Sequence, residues 1–312
     1  MIQQQILNFL RAAAVADALG VPVEMRQRGT FQLTGMTGQG TWKQPRGSWS
    51  DDTSMTLCLL QNLVEGGSYD DLLNKFEAYM MYGDWTPRGV TFDVGRTCAH
   101  AVRNHAINRL PALECGDTAE FANGNGALMR IAPLAVVLQN ETNFQRRVQI
   151  TRNYTALTHG HPRSVLGSLI FLEVLRELFL DQSVASALEI VHDRIVREIQ
   201  DDSAIIAELE AYQRLFLPNF GQLPVAEIKS SSYVVDTLEA ALWVALNSDD
   251  LKTAILTAAN LGGDTDTIAT VTASLIVAKN KLATIPDEWW SQTLNHALLD
   301  RVMIPFAEKF AD

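Results

Sequence analysis

Apolar residues recur at helical spacing along nearly the whole chain, and the alternating runs that mark strands are scarce. Residues 3–20 gather Ile6, Phe9, Leu10, Ala13, Ala14, Ala16, Asp17 and Gly20 on one face, with small side chains near its end. The run MTLCLLQNLVE predicts a helix from Met55 to Glu65. Leu72, Leu73, Phe76 and Met80 form a stripe over Tyr69–Tyr82, and Ser68 can cap its start. The same periodicity predicts helices over 144–157, 162–179, 184–198, 203–216, 232–246, 250–260, 266–278 and 291–310. Residues 131–138, IAPLAVVL, have the composition of a strand, but Pro133 suits a first helical turn and the segment reads as helix. Glycine and proline cluster at Gly83–Gly95 and Cys115–Pro133, which predicts two long functional loops.

Two short acidic segments interrupt this pattern, each at the start of an apolar run: Ser50-Asp51-Asp52-Thr53 and Gly263-Asp264-Thr265-Asp266-Thr267. Taken alone, the first is as consistent with an ordinary helix cap as with a ligand set. The second shifts the balance. Behind it, Thr267–Ala278 has almost no polar face, so the helix reads as buried and its leading carboxylates with it. Buried like charges repel unless something positive lies among them, and neither segment contains Lys or Arg. With Glu24 the two segments supply five carboxylates and several hydroxyls. Hard oxygen donors without clustered Cys or His select magnesium, manganese or calcium over zinc. One octahedral magnesium uses only one or two protein carboxylates, so five suggest a pair of ions. Segments so far apart in sequence can share a site only if the chain between them folds as one unit. We therefore expect one all-α domain over residues 1–312.

Composition narrows the function classes. At 312 residues and 47% hydrophobic, the chain can build a large core, and its formal charge of −11 disfavours non-specific nucleic-acid or acidic-lipid binding. Cys58, Cys98 and Cys115 have no metal-ligand spacing and read as buried thiols of a reducing compartment. The first ten residues lack a signal-peptide pattern. The apolar stretches look interrupted before the roughly 20 residues of a membrane span. The expectation is a cytoplasmic protein with no membrane or nucleic-acid partner.

An ordered set of segments resembles the ADP-ribosylglycohydrolase family: ADALG at 16–20 with Glu24, GSWSDDT at 47–53, FDVG at 92–95, NGNGALMRIAP at 123–133, Thr158-His159, and LGGDTDT at 261–267. The resemblance implies a compact orthogonal multi-helix domain and a binuclear magnesium centre, with manganese as a substitute. By motif match, Ser50, Asp51, Asp52, Asp264, Asp266 and Thr267 would be the metal ligands. Glu24, on a mobile loop, would act on the water or leaving group, with Asp52 and Asp264 beside it in catalysis. Asp93, Asn123, Gly124, Asn125, Gly126, Met129 and His159 would line the ADP-ribose cleft. The family commonly has Gly where this chain has Ala16 and Thr where it has Ser50; serine keeps the hydroxyl and carbonyl.

The implied reaction hydrolyses the bond between the distal ribose and a modified protein side chain, releasing ADP-ribose. Its substrate would be an ADP-ribosylated protein or peptide, N-linked through arginine. The alternatives are an O-linked substrate (serine, threonine or a small molecule) and an immunity or binding protein that sequesters or occludes an ADP-ribosylation partner. Other residues stay open at this level. Arg130 could reach a diphosphate or brace its loop, and His159 could bond ligand or serve structure. Asp93 could bond a ribose hydroxyl or pin its glycine loop. Phe92 and Tyr82 are possible adenine-stacking surfaces, and Trp289-Trp290 are expected to pack the last helices.

Overall fold

Helix boundaries follow the caps written in the sequence. A computed structural model describes residues 1–312. Its first third carries α1 (Gln3–Gly20), α2 (Asp51–Glu65), α3 (Tyr69–Tyr82) and α4 (Arg96–Ala106). The short α5 (Leu128–Ile131) and α6 (Pro133–Val137) follow, then α7 (Phe144–Ala156), α8 (Pro162–Phe179), α9 (Val184–Glu198) and the short α10 (Ser203–Ala207). The last third holds α11 (Val234–Asn247), α12 (Leu251–Asn260), α13 (Thr265–Lys279), α14 (Asp287–Gln292) and α15 (His296–Phe310). No residue lies in a strand; the extended pairings are isolated bridges such as Gly124 with Tyr233. The fold is all-α, one helical body around one large core.

Ser68 caps α3 reciprocally with Asp71, and Pro133 does open a helix. Three readings change. Helix α2 begins at Asp51, so the first acidic segment is the helix's own first turn rather than a prelude to it. The run 203–216 is α-helical only to Ala207 and continues as a tighter 3-10 helix to Phe216. The run 291–310 is broken because Asn295, at φ 52°, caps a new helix by accepting from the Leu298 N–H. Helix α4 had no signal in the apolar pattern, since it buries only Cys98, Ala101 and Val102.

Helix α13 is the axis of the molecule. Thr265 through Ala278 are all buried, and α1, α11 and α12 pack around it. Helix α1 runs against it closely enough that a Cβ at Gly20 would overlap the Asp266 backbone, and Thr265 Oγ1 donates to the Gly20 carbonyl at 2.8 Å. Residues Gln3–Val23 are also long and apolar enough to cross a membrane, with a mean hydropathy of 1.5, contrary to the reading of interrupted stretches. Here most of that segment is buried against the rest of the protein.

Candidate active site and metal centre

The starts of α2 and α13 meet. Ser50 is the N-cap of α2, its Oγ accepting from the Asp52 N–H at 3.3 Å, and Asp51 and Asp52 form the first turn. Asp264 is the N-cap of α13, followed by Asp266 and Thr267. Thr267 Oγ1 donates to Asp52 Oδ1 at 3.1 Å, which joins segments from opposite ends of the chain. Both helices direct the positive ends of their dipoles at these carboxylates.

Three further pieces complete the group. Asp17 of α1, to which sequence reasoning assigned no role, accepts both the Ser50 N–H (2.9 Å) and the Thr53 N–H (3.0 Å), and Thr53 Oγ1 at 2.6 Å. It therefore caps α2 from a neighbouring helix. Its sequence signals were an acid on an otherwise apolar face and its place in the ADALG segment. Glu24 follows a 3-10 turn at Val21–Val23 and is tied to the second acidic segment. The Met25 N–H donates to Gly263 O at 2.7 Å and the Gly263 N–H to Arg26 O at 2.9 Å. Asp93 comes from the 83–95 loop, whose Gly95 N–H donates to Asp51 Oδ2 at 3.3 Å. Carboxylate oxygens of Glu24, Asp93 and Asp266 lie within 4.8 Å of one another. Asp93 thus stands among the acids as well as on the cleft wall.

The electrostatics are those of an uncompensated cluster. Burial and mutual repulsion push Glu24 up to about 8, Asp51 to about 7 and Asp93 to about 9. Asp17 rises to about 6 through burial, and Asp52 and Asp266 are raised well above the carboxylate range by burial and neighbouring acids. No Lys, Arg or His forms an ion pair with Glu24, Asp51, Asp52, Asp93 or Asp266, and no basic side chain is among the largest influences on them. Two buried oxygens, Asp52 Oδ2 and Asp264 Oδ1, have no hydrogen-bond partner. Orphaned anionic oxygens in a set of hard donors fit divalent cations.

A cleft of about 600 Å³ opens over the cluster. Glu24, Asp51, Asp93, Asp264, Asp266 and Thr267 reach its wall, as do Asn123 through Gly126, Met129 and His159; Ser50 and Asp52 lie behind it. Asn125 Nδ2 donates to Asp264 Oδ2 at 3.0 Å, and its backbone N–H is spent on Ser232 O. The Asn123 side chain is also occupied, accepting from Ser164 Oγ at 2.8 Å. Arg130 braces the loop: it donates to the Gly126 carbonyl and to Thr158 Oγ1, and stacks on Phe76. Burial and then Arg130 push His159 down to about 3, so it is a neutral imidazole on the cleft wall. Tyr82 is exposed to solvent and Phe92 packs on Trp42, so neither lines the cleft; its aromatic walls are Trp42, Phe121 and Tyr233. Sequence reasoning did not single out these three: Trp42 and Phe121 lie between the long helices, and Tyr233 lies at the start of α11. Trp290 stacks on His296 at 4.5 Å and Trp289 is buried, as expected of packing residues.

A second group close enough to share an ion, Glu120, His161 and Glu208, lies at the cleft rim. Arg163 already bridges its two carboxylates at 2.6 Å each, and His161 Nδ1 is spent on the Arg163 N–H. This group is an ion-pair brace, its carboxylates already engaged by Arg163.

Comparison with known proteins gives a consistent result. The ADP-ribosylglycohydrolase family model matches residues 2–312. The chain is 31% identical to ADP-ribosylarginine hydrolase Tri1 of Serratia proteamaculans, over 88% of this chain and 71% of that protein. It is 28% identical to the ADP-ribosyl-[dinitrogen reductase] glycohydrolase of Rhodospirillum rubrum, over 93% and 90% of the two chains. A solved structure described as an ADP-ribosylglycohydrolase-related protein complex superimposes with a TM-score of 0.79 at 27% identity, covering 98% of each chain.

Proposed function

The chain belongs to the ADP-ribosylglycohydrolase family, and from that premise we propose that it removes ADP-ribose from arginine side chains of modified proteins. The observation that carries the reading is the floor of the cleft. Carboxylates from two helix starts and two loops converge there with no basic partner and with two orphaned oxygens. The arginine linkage is supported by the similarity to hydrolases described as acting on ADP-ribosylarginine.

Ser50, Asp51, Asp52, Asp264, Asp266 and Thr267 would hold two magnesium ions, with manganese as a substitute. Bound there, such ions supply Lewis-acid electrostatics to substrate oxygens. The protein's own groups would do the rest. Asn123–Gly126, Met129 and His159 would hold the ADP-ribose, His159 as a neutral hydrogen-bonding group. Asp93 would take a ribose hydroxyl beside the acids. A water oxygen bonds to the ribose C1 as the C1–N bond breaks, and the bonding pair leaves with the guanidine nitrogen. Glu24 would carry the proton from that water toward the departing nitrogen. The products are ADP-ribose and unmodified arginine.

The test presents arginine-, serine- and threonine-ADP-ribosylated peptides with magnesium and follows free ADP-ribose by mass spectrometry. We expect release from the arginine-linked peptide alone. Release only from serine or threonine would overturn the linkage. Release from none, with metal bound by calorimetry, would overturn hydrolysis itself.

A further inference from the structure

The turn at residues 39–44 lies across the Glu24 loop, and its contacts there are consecutive. Gln39 and Gln44 close the turn, the Gln39 N–H donating to Gln44 O at 2.5 Å. Gly40 then passes so near Pro22 that a methyl group would overlap the Pro22 carbonyl oxygen. The Thr41 N–H donates to that same carbonyl at 3.2 Å, and Thr41 Oγ1 donates to the Glu24 carbonyl at 2.5 Å. Trp42 Nε1 donates to Glu24 Oε2. Three successive residues thus grip the backbone before Glu24, its carbonyl and its side chain.

The other side of Trp42 is equally engaged. Its ring packs on Phe92, with centroids 6.0 Å apart and planes tilted by 54°. Phe92 immediately precedes Asp93, whose carboxylate is within 4.8 Å of Glu24 and Asp266. One indole therefore spans the Glu24 loop and the Asp93 loop, and it lies on the cleft wall.

We infer that Trp42 is a positioning residue for hydrolysis: its N–H ties one oxygen of Glu24 so that the other is presented to the reacting groups. Indole suits this work. It is a donor only, stays neutral at every working pH and cannot itself take the proton that Glu24 handles. A lysine in its place would put a competing cation among the acids. The ring on Phe92 fixes the direction of the N–H, so Glu24 and Asp93 keep their relative placement. The inference rests on the proposed role of Glu24.

The experiment has two arms. Trp42→Phe removes the N–H donor together with the five-membered part of the indole, and leaves an aromatic ring beside Phe92. On the arginine-linked peptide we expect kcat to fall by about 10- to 100-fold, the scale of one hydrogen bond to a charged group. KM and calorimetric magnesium affinity should each stay within about twofold. The second arm is independent of turnover. The protein has six tryptophans, and loss of one indole N–H signal in Trp42→Phe assigns the Trp42 resonance in a proton–nitrogen spectrum. Glu24→Ala should move that resonance upfield by removing its acceptor. Wild-type kcat in Trp42→Phe, or a loss of magnesium affinity in step with kcat, overturns the inference. So does an indole signal indifferent to Glu24→Ala. If the wild-type protein cleaves no linkage, the proposed function fails, while the spectrum still decides whether the contact exists.

Discussion

The protein treats its two clusters of buried carboxylates in opposite ways. On α8, Glu173 and Glu177 are enclosed by arginines from the flanking helices. Arg147 of α7 grips Glu173 through two nitrogens, at 2.6 and 2.8 Å. Arg194 of α9 bridges Glu173 and Glu177 at 2.7 Å each. At the starts of α2 and α13 the acids make no ion pair and are in direct contact with one another, helix ends and neutral donors. The contrast separates a structural use of buried charge from a functional one. A network completed within the chain needs nothing more, whereas one left open by the fold is what the proposed metal centre requires. An arginine at the second place would close the network and fill the space a ligand needs.

The largest expected effect tests the open side. Asp52→Asn should lower turnover by about 10²- to 10³-fold, the scale seen when one preorganised electrostatic element is lost. Turnover near wild type at saturating magnesium would remove Asp52 from the centre. The same edit on the closed side should act on folding. Glu173→Gln leaves Arg147 and Arg194 short of a buried counter-charge and should cost about 3–5 kcal/mol in denaturant unfolding. A loss below about 1 kcal/mol would mean that the two places are not as different as their contacts indicate.

Metal should discriminate between them next. Magnesium at 100 times its Kd at neutral pH should add about 2.7 kcal/mol, and at that fixed concentration the increment should grow as Kd falls with rising pH. Unfolded carboxylates titrate near about 4, whereas burial and repulsion hold Asp51 near about 7 and Glu24 near about 8 in the folded metal-free protein. The folded state then keeps protons that the unfolded chain releases. Its contribution from these groups is complete below the unfolded value and is lost as pH rises through about 7 and 8. Cations compete with those protons, so thermal melts with magnesium and with chelator should diverge from pH 5 to pH 9. A constant gap would contradict the cluster as described. The smallest effect has the opposite sign to the second. Asp52→Asn should stabilise the metal-free protein at pH 8 by about 0.5–2 kcal/mol, as relief of a strained site commonly does. Destabilisation in chelator would show that the Asp52 charge is structurally compensated.

What could be read in the sequence was local. Helices α1, α3, α8 and α9 have the boundaries their apolar stripes gave, since caps and prolines sit next to the residues they act on. The two acidic segments were legible because each is compact and abuts a featureless apolar run. The rest depended on distance. The acceptor role of Asp17 toward Ser50 and Thr53 spans more than thirty positions, and Trp42 acquires meaning only beside Glu24 and Phe92. Helix α4 is polar enough to resemble a loop, and only its place against α3 makes it a helix worth forming. Arg130 had two readings in the sequence and has one in the fold, because its guanidinium is consumed by the loop it braces.

The pairing of α1 with α13 also sets a timetable for synthesis. The contact from Gly20 to Thr265 joins positions 245 residues apart. At translation rates of roughly 5–20 residues per second, the first helix waits on the order of 10–50 s for its permanent neighbour. Throughout that interval the flank that faces α13 lacks its native cover, although α2 can already pack on α1, and no nascent fragment ending before Asp264 can bring the two acidic segments together. A ribosome stalled late in the message would therefore release a chain that is nearly full length, sticky and inert.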